Sequence, residues 1–194
     1  MGHRSRLLTL LTLVCLSFAL GGEPLRVLFV GDSMVEAVFR PSGKLCKERS
    51  YRCEFLFKRG LRTDAWTSGG YALELLFKLV TLRPDAVVVS SGTNDLYADE
   101  SNERVYEDFR RLVTLIKSVG RRLRIRPKVI VVAPPIPNDR GLNEFLAERL
   151  GREEGVWVMQ SKVYRFELWD GVHPTAESSK VWAEEIIRLV DRIR

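Results

Sequence analysis

Histidine is almost absent from this sequence: there are two, His3 and His173. Cysteine is nearly as scarce, with Cys15, Cys46 and Cys53. One histidine outside the N-terminal segment and no clustered cysteines leave no ligand set for a catalytic zinc. No metal and no cofactor is expected. No Gly-x-Ser-x-Gly occurs, which removes the nucleophile elbow of the α/β-hydrolases. No zinc-finger, RNA-recognition or basic-zipper signature accompanies the net charge of +6, so nucleic acid is not an expected partner. There is no internal repeat at a solenoid or propeller period. Beyond the N-terminus no apolar run is long enough to cross a bilayer.

The N-terminus has a composition of its own. Arg4 and Arg6 precede Leu7 to Leu20 (LLTLLTLVCLSFAL), almost wholly apolar, and then come Ala19, Gly21 and Gly22. That order of basic, apolar and small residues is expected of a secretory signal peptide over 1–22, with one domain over 23–194. As a helix the apolar stretch would span only ~21 Å at ~1.5 Å per residue, short of the ~30 Å bilayer core. A secreted, extracellular chain is therefore expected, or a periplasmic one in a bacterium. Export removes Cys15 and leaves Cys46 and Cys53, a pair expected to be disulfide-bonded in an oxidising compartment.

The densest basic run is Arg121, Arg122, Arg124, Arg126 and Lys128. It could bind an anionic surface. As a solvated helix end leading into a strand it needs no partner, and that is the plainer reading.

Along the domain, β-rich runs alternate with helical patterns. Leu25 to Val30 is a buried first strand ending at Gly31, and Tyr51 to Phe57 a second, less marked one. From Tyr71 to Leu82 the apolar positions Leu73, Leu76, Phe77 and Val80 recur at helical spacing. Asp85 to Ser90 and Lys128 to Ala133 are continuous β-branched strands. Asn102 to Val119 is an amphipathic helix with Gly120 as its expected C-cap. Leu142 to Leu150 is a shorter helix and Val156 to Met159 a strand. Thr175 to Ile193 is a long helix with Val181, Trp182, Ile186, Leu189, Val190 and Ile193 towards the core. Such alternation implies an α/β fold, a three-layer α/β/α sandwich around a short parallel sheet. Its site belongs at the carboxyl ends of the strands.

Four segments meet that condition. Gly31-Asp32-Ser33 follows the first strand, where a serine in a tight turn exposes its hydroxyl at a helix's positive end. Trp66-Thr67-Ser68-Gly69-Gly70 precedes a helix, and a glycine there lets backbone approach a ligand. Gly92-Thr93-Asn94-Asp95 follows the third strand, with an Asn amide able to donate to a developing oxyanion. Asp170-Gly171-Val172-His173-Pro174 precedes the last helix; a carboxylate three residues before a histidine can fold back onto Nδ1 and leave Nε2 free for a serine. Each alone is an ordinary turn. Together they supply a nucleophile, a base, an orienting acid and oxyanion donors.

In order and spacing these four blocks resemble those of the SGNH (GDSL-like) hydrolase superfamily across the whole of 23–194. The resemblance implies a nucleophile at Ser33, an acid at Asp170 and a base at His173. It implies an oxyanion hole of the Ser33 N–H, a glycine that is either Gly69 or Gly70, and the Asn94 side chain, with Asp32 and Asp95 supporting the site. The residue before the glycine is not the Asn often found upstream in that block. The implied activity is hydrolysis of carboxylic esters, and the implied partner is a small-molecule, lipid or glycan ester: a short acyl ester, a lysophospholipid or an O-acetylated glycan. The segment from Met34 to Gly43 and the loop from Pro134 to Arg140 are expected to shape the pocket. Two rivals stand beside this reading: a catalytically silent binding module on the same fold, and an esterase domain serving a nucleic-acid-binding element.

Overall fold

Five β-rich runs of the chain are almost entirely apolar, which suits strands covered on both faces. In the structure, a computed structural model describing residues 23–194, they form one sheet. The strands are β1 (Arg26–Gly31), β2 (Arg52–Phe57), β3 (Ala86–Ser90), β4 (Lys128–Val132) and β5 (Val156–Met159). All neighbours pair in parallel, in the order β2-β1-β3-β4-β5. The expected signal peptide over 1–22 lies outside the described residues.

Successive side chains of a strand point to opposite faces, and the two cores follow that alternation. Leu28, Val30, Val87, Val89, Val129 and Val131 face one layer of helices: α2 (Gly69–Leu82), α4 (Asn102–Arg122) and α5 (Leu142–Leu150). Val27, Phe29, Ala86, Val88, Ile130 and Val132 face the other: α1 (Ser33–Glu48) and α6 (Ala176–Ile193). A short helix, α3 (Thr93–Tyr97), follows β3. The architecture is the α/β sandwich that the alternation of runs implied.

Three details depart from the sequence reading. Helix α2 is apolar on both sides, and the sheet takes Leu75, Leu79 and Leu82, leaving Leu73, Phe77 and Val80 exposed at 67%, 65% and 51%. Val181 of α6 likewise points outward, while Trp182, Ala183, Ile186, Ile187 and Val190 are buried. Gly120 does not end α4, which runs on to a cap at Leu123. Its value is space, since a Cβ there would lie 2.6 Å from the Pro127 ring.

Cys46, in the last turn of α1, is disulfide-bonded to Cys53 in β2. The bond fastens the helix that begins at Ser33 to the edge strand.

Candidate active site

The turn after β1 depends on the absence of a side chain. A Cβ on Gly31 would sit 1.8 Å from the Ser90 carbonyl oxygen of the neighbouring strand. Without it, the chain turns close against β3 and the Asp32 N–H donates to that carbonyl at 3.2 Å. Asp32 then caps α1, its Oδ1 accepting the Met34 N–H at 2.9 Å. Ser33 becomes the first residue of the helix, where backbone N–H groups have no partner within the helix and the dipole is positive.

His173 arrives from the far end of the chain on a short loop pinned at its base by the antiparallel bridge of Leu168 with Pro174. Gly171 supplies a left-handed residue (φ 81°) inside it. Asp170 is bound on three sides: Oδ1 accepts the Val172 and His173 N–H groups at 2.9 and 2.7 Å, and Oδ2 lies 2.7 Å from His173 Nδ1. The His173 amide, foremost among these donors, holds the Asp170 carboxyl down at about 2. Asp170 is thus a carboxylate across the physiological range and accepts the Nδ1 proton. Nε2 faces Ser33 Oγ at 2.9 Å. The Trp169 ring stacks beside the imidazole at 5.9 Å between centroids and stays 71% exposed. The structure brings Ser33, His173 and Asp170 together in one hydrogen-bonded chain.

The remaining expected residues divide. Asn94 reaches the site, but its Nδ2 donates to Asp32 Oδ2 at 3.0 Å and to the Leu61 carbonyl at 3.1 Å. Both amide hydrogens are therefore engaged. Asp32 is fully buried, and burial pushes its carboxyl up to about 7. Asp95 is buried too and ties α3 to the turn at Thr63–Thr67, accepting from the Thr63 amide at 3.1 Å and the Thr63 hydroxyl at 2.9 Å. Burial raises its carboxyl as well. Gly69 and Gly70 are not brought to the site: both are exposed at the start of α2, beyond that turn, and neither lines the cavity at Ser33. The loop directly after β2 does reach it. Its Leu61 carbonyl holds Asn94, and its Arg59 lines the Ser33 cavity while ion-paired to Glu36. Sequence reasoning passed over Arg59, Leu61 and Thr63. The signal that could have found them is their position at the carboxyl end of a strand, the same rule that located the other blocks.

The cavity at Ser33 measures about 480 Å³. It shares Glu36, Ala37 and Ser179 with a larger groove of about 860 Å³ between α1 and α6, walled by Phe39, Pro41, Leu45 and Phe57. Thus the segment from Met34 to Gly43 does shape this region. Ile136, Pro137, Asn138 and Arg140 line a different cleft, shared with Tyr97 and Gly171.

A parallel α/β/α sandwich with this arrangement at the strand ends defines an SGNH-type hydrolase. The chain belongs to the GDSL-like lipase/acylhydrolase family, whose model matches residues 29–181. Among similar solved structures, TesA is 16% identical with a TM-score of 0.65, over 87% of this chain and 99% of that one. The lipase Lip_vut3 from a goat rumen metagenome is 16% identical with a TM-score of 0.62, over 84% and 96%. The C-terminal catalytic domain of peptidoglycan O-acetyltransferase A of Streptococcus pneumoniae is 14% identical with a TM-score of 0.62, over 89% and 96%. At such identities the likeness speaks for the fold alone. No curated protein matches the sequence.

Proposed function

We propose that this protein hydrolyses carboxylic esters through Ser33, His173 and Asp170. One observation carries the reading: the unbroken relay from Asp170 Oδ2 through the imidazole to Ser33 Oγ, with links of 2.7 and 2.9 Å. His173 Nε2 takes the Ser33 hydroxyl proton as Oγ bonds to the ester carbonyl carbon. The oxyanion so formed meets the Ser33 N–H at the positive end of α1. An Asn94 N–H joins it on leaving Leu61 or Asp32. The imidazolium returns its proton to the departing alkoxide; a water molecule, deprotonated in turn by Nε2, then bonds to the acyl carbon, and the imidazolium passes that proton to Ser33 Oγ as the acid leaves. Asp170 steadies the charged ring throughout.

The groove beside Ser33, where Phe39, Leu45 and Phe57 lie among charged residues such as Arg40, Lys44 and Lys180, supports an acyl chain of some length over acetate. Residues 1–22 and the Cys46–Cys53 bond support export to an oxidising compartment. Hydrolysis of p-nitrophenyl esters from acetate to long chains tests the reading, with Ser33→Ala and Asp170→Asn beside the unmodified protein. Loss of turnover in Ser33→Ala and a kcat drop of about 10⁴-fold in Asp170→Asn are expected. Full activity in Ser33→Ala overturns it. A folded protein that neither turns over any ester nor reacts with a fluorophosphonate at Ser33 would instead be a binding module.

A further inference from the structure

The layer formed by α2 and α4 carries two features that ester hydrolysis does not use. The first is the outward stripe Leu73, Phe77 and Val80, one above another on α2 and all more than half exposed. A row of large apolar side chains facing water on a helix whose opposite side already fills the core calls for a partner. The second is charge. Residues 69–83 and 102–128 hold eleven Lys and Arg against four carboxylates. Residues 23–194 as a whole carry only +4, the chain total of +6 less Arg4 and Arg6, so the rest of the described surface is net acidic. Along α4 the earlier cations are neutralised: Arg110 by Glu107, Arg104 and Arg111 by Asp108, Lys117 by Glu153. The later ones are not. Arg121 reaches only the Ser118 hydroxyl, Lys128 lies over the Trp157 ring, and Arg122, Arg124 and Arg126 have no carboxylate partner among the described residues.

The two features adjoin. The guanidinium of Arg83, which ends α2, donates to the Leu123 carbonyl inside the basic turn at 2.7 Å. Arg83 and the basic turn thus meet at the end of the sheet where the strands begin, and the stripe runs from there along α2, with Val80 nearest and Leu73 about 10 Å further on at ~1.5 Å per residue. We infer that this face docks on an anionic lipid surface: the basic turn lies against the headgroups and Leu73, Phe77 and Val80 enter the apolar boundary. A polyanion such as nucleic acid would satisfy the cations but not the stripe. Apolar side chains flanked by basic ones are what an anionic bilayer surface matches. No helix among the described residues is long and apolar enough to cross the membrane. Docking at this face stands independently of the reading of Ser33.

The test is co-sedimentation of the protein with phosphatidylcholine vesicles and with vesicles containing a third phosphatidylglycerol, at low and high salt. Binding to the anionic vesicles alone, weakened at least tenfold by 0.5 M salt, is expected. Arg122→Gln with Arg126→Gln should weaken it about 30-fold, at about 1 kcal/mol for each cation near the surface. Leu73→Ser with Phe77→Ser should weaken it at least tenfold. Both pairs are exposed, so melting temperatures should match the unmodified protein and establish that the fold survives. No binding to anionic vesicles overturns the proposal. So does binding that ignores the Leu73/Phe77 change, or tighter binding to single-stranded DNA than to anionic vesicles, which would assign the cations to a polyanion.

Discussion

Asp32 offers a sharp test of how the site is built. Its carboxylate is shut away from water under α1, and burial carries it from an ordinary 3.8 up to about 7. An acid whose folded pKa is raised binds more protons in the folded state, so stability falls as pH climbs from about 4 to 7. At about 1.36 kcal/mol per pH unit, Asp32 should cost the fold about 3 kcal/mol between pH 4.5 and 8. Asparagine has nearly the same shape and no proton to lose. Its side-chain oxygen can still accept the Met34 N–H, while the Asn94 contact loses its acceptor, a cost of about 1 kcal/mol that does not vary with pH. The informative quantity is accordingly the slope. Thermal unfolding should show the unmodified protein losing about 6–12 °C relative to Asp32→Asn between pH 4.5 and 8, at roughly 2–4 °C per kcal/mol for a chain of this size. Asp95, also buried and raised, is present in both proteins, and its charge adds to the upward push on Asp32, so the difference in slope belongs to the pair. The carboxyl of Asp170, held at about 2, has finished titrating below this window. Parallel curves for the two proteins would refute a buried, protonatable Asp32.

Two further outcomes follow from the packing. Gly31→Ala forces a methyl against the Ser90 carbonyl, so urea titration should show a loss of about 3 kcal/mol or more, together with loss of ester turnover as Ser33 is displaced. Replacing both Cys46 and Cys53 by serine opens a loop of sequence separation 7 and should lower stability by about 2.4 kcal/mol, and dithiothreitol should lower the unmodified protein to the same level without affecting the variant.

Much of the fold was legible because a parallel sheet writes itself as continuous β-branched runs. Ala86–Ser90 and Lys128–Val132 could be little else, and their helices follow from 3.6-residue periodicity and from stops such as Pro84. The choice of face on α2 was not legible. Leu73-Phe77-Val80 and Leu75-Leu79-Leu82 are equally regular apolar rows, and only the neighbouring layer decides which is covered. In the site, the block at His173 was the most specific, a carboxylate, a glycine and a lone histidine within four residues, and Gly31-Asp32-Ser33, weak alone, gained its meaning from standing with the other blocks after a strand. The loop after β2 did not, because its contribution is main chain: the Leu61 carbonyl and the Thr63 amide leave no trace in residue type. Reading glycine as the mark of backbone approach led to Gly69 and Gly70. The contacts found after β2 are of another kind, the Leu61 carbonyl accepting from Asn94 and the Thr63 amide bonded to Asp95, so neither stands in for the N–H donor expected of a glycine.

The distance between Ser33 and His173 is set by more than their own loops. The two residues lie 140 positions apart and meet because α1 and α6 pack side by side on the same face of the sheet. Ser33 starts α1, and the His173 loop ends where Thr175 caps α6, its hydroxyl accepting the Ser178 N–H. Each helix begins at the strand ends where the chemistry belongs. The core beneath them, with Met34, Val35 and Val38 on α1 and Trp182, Ile186 and Val190 on α6, therefore holds Ser33 and His173 in register. The opposite layer has no such duty. Its helices close the second core, bear their pairings and exposed stripes away from the relay, and can change their outer faces without moving Ser33 or His173. That division explains how the fold can keep Ser33 and His173 within hydrogen-bonding distance in one layer while offering a cationic, apolar surface in the other.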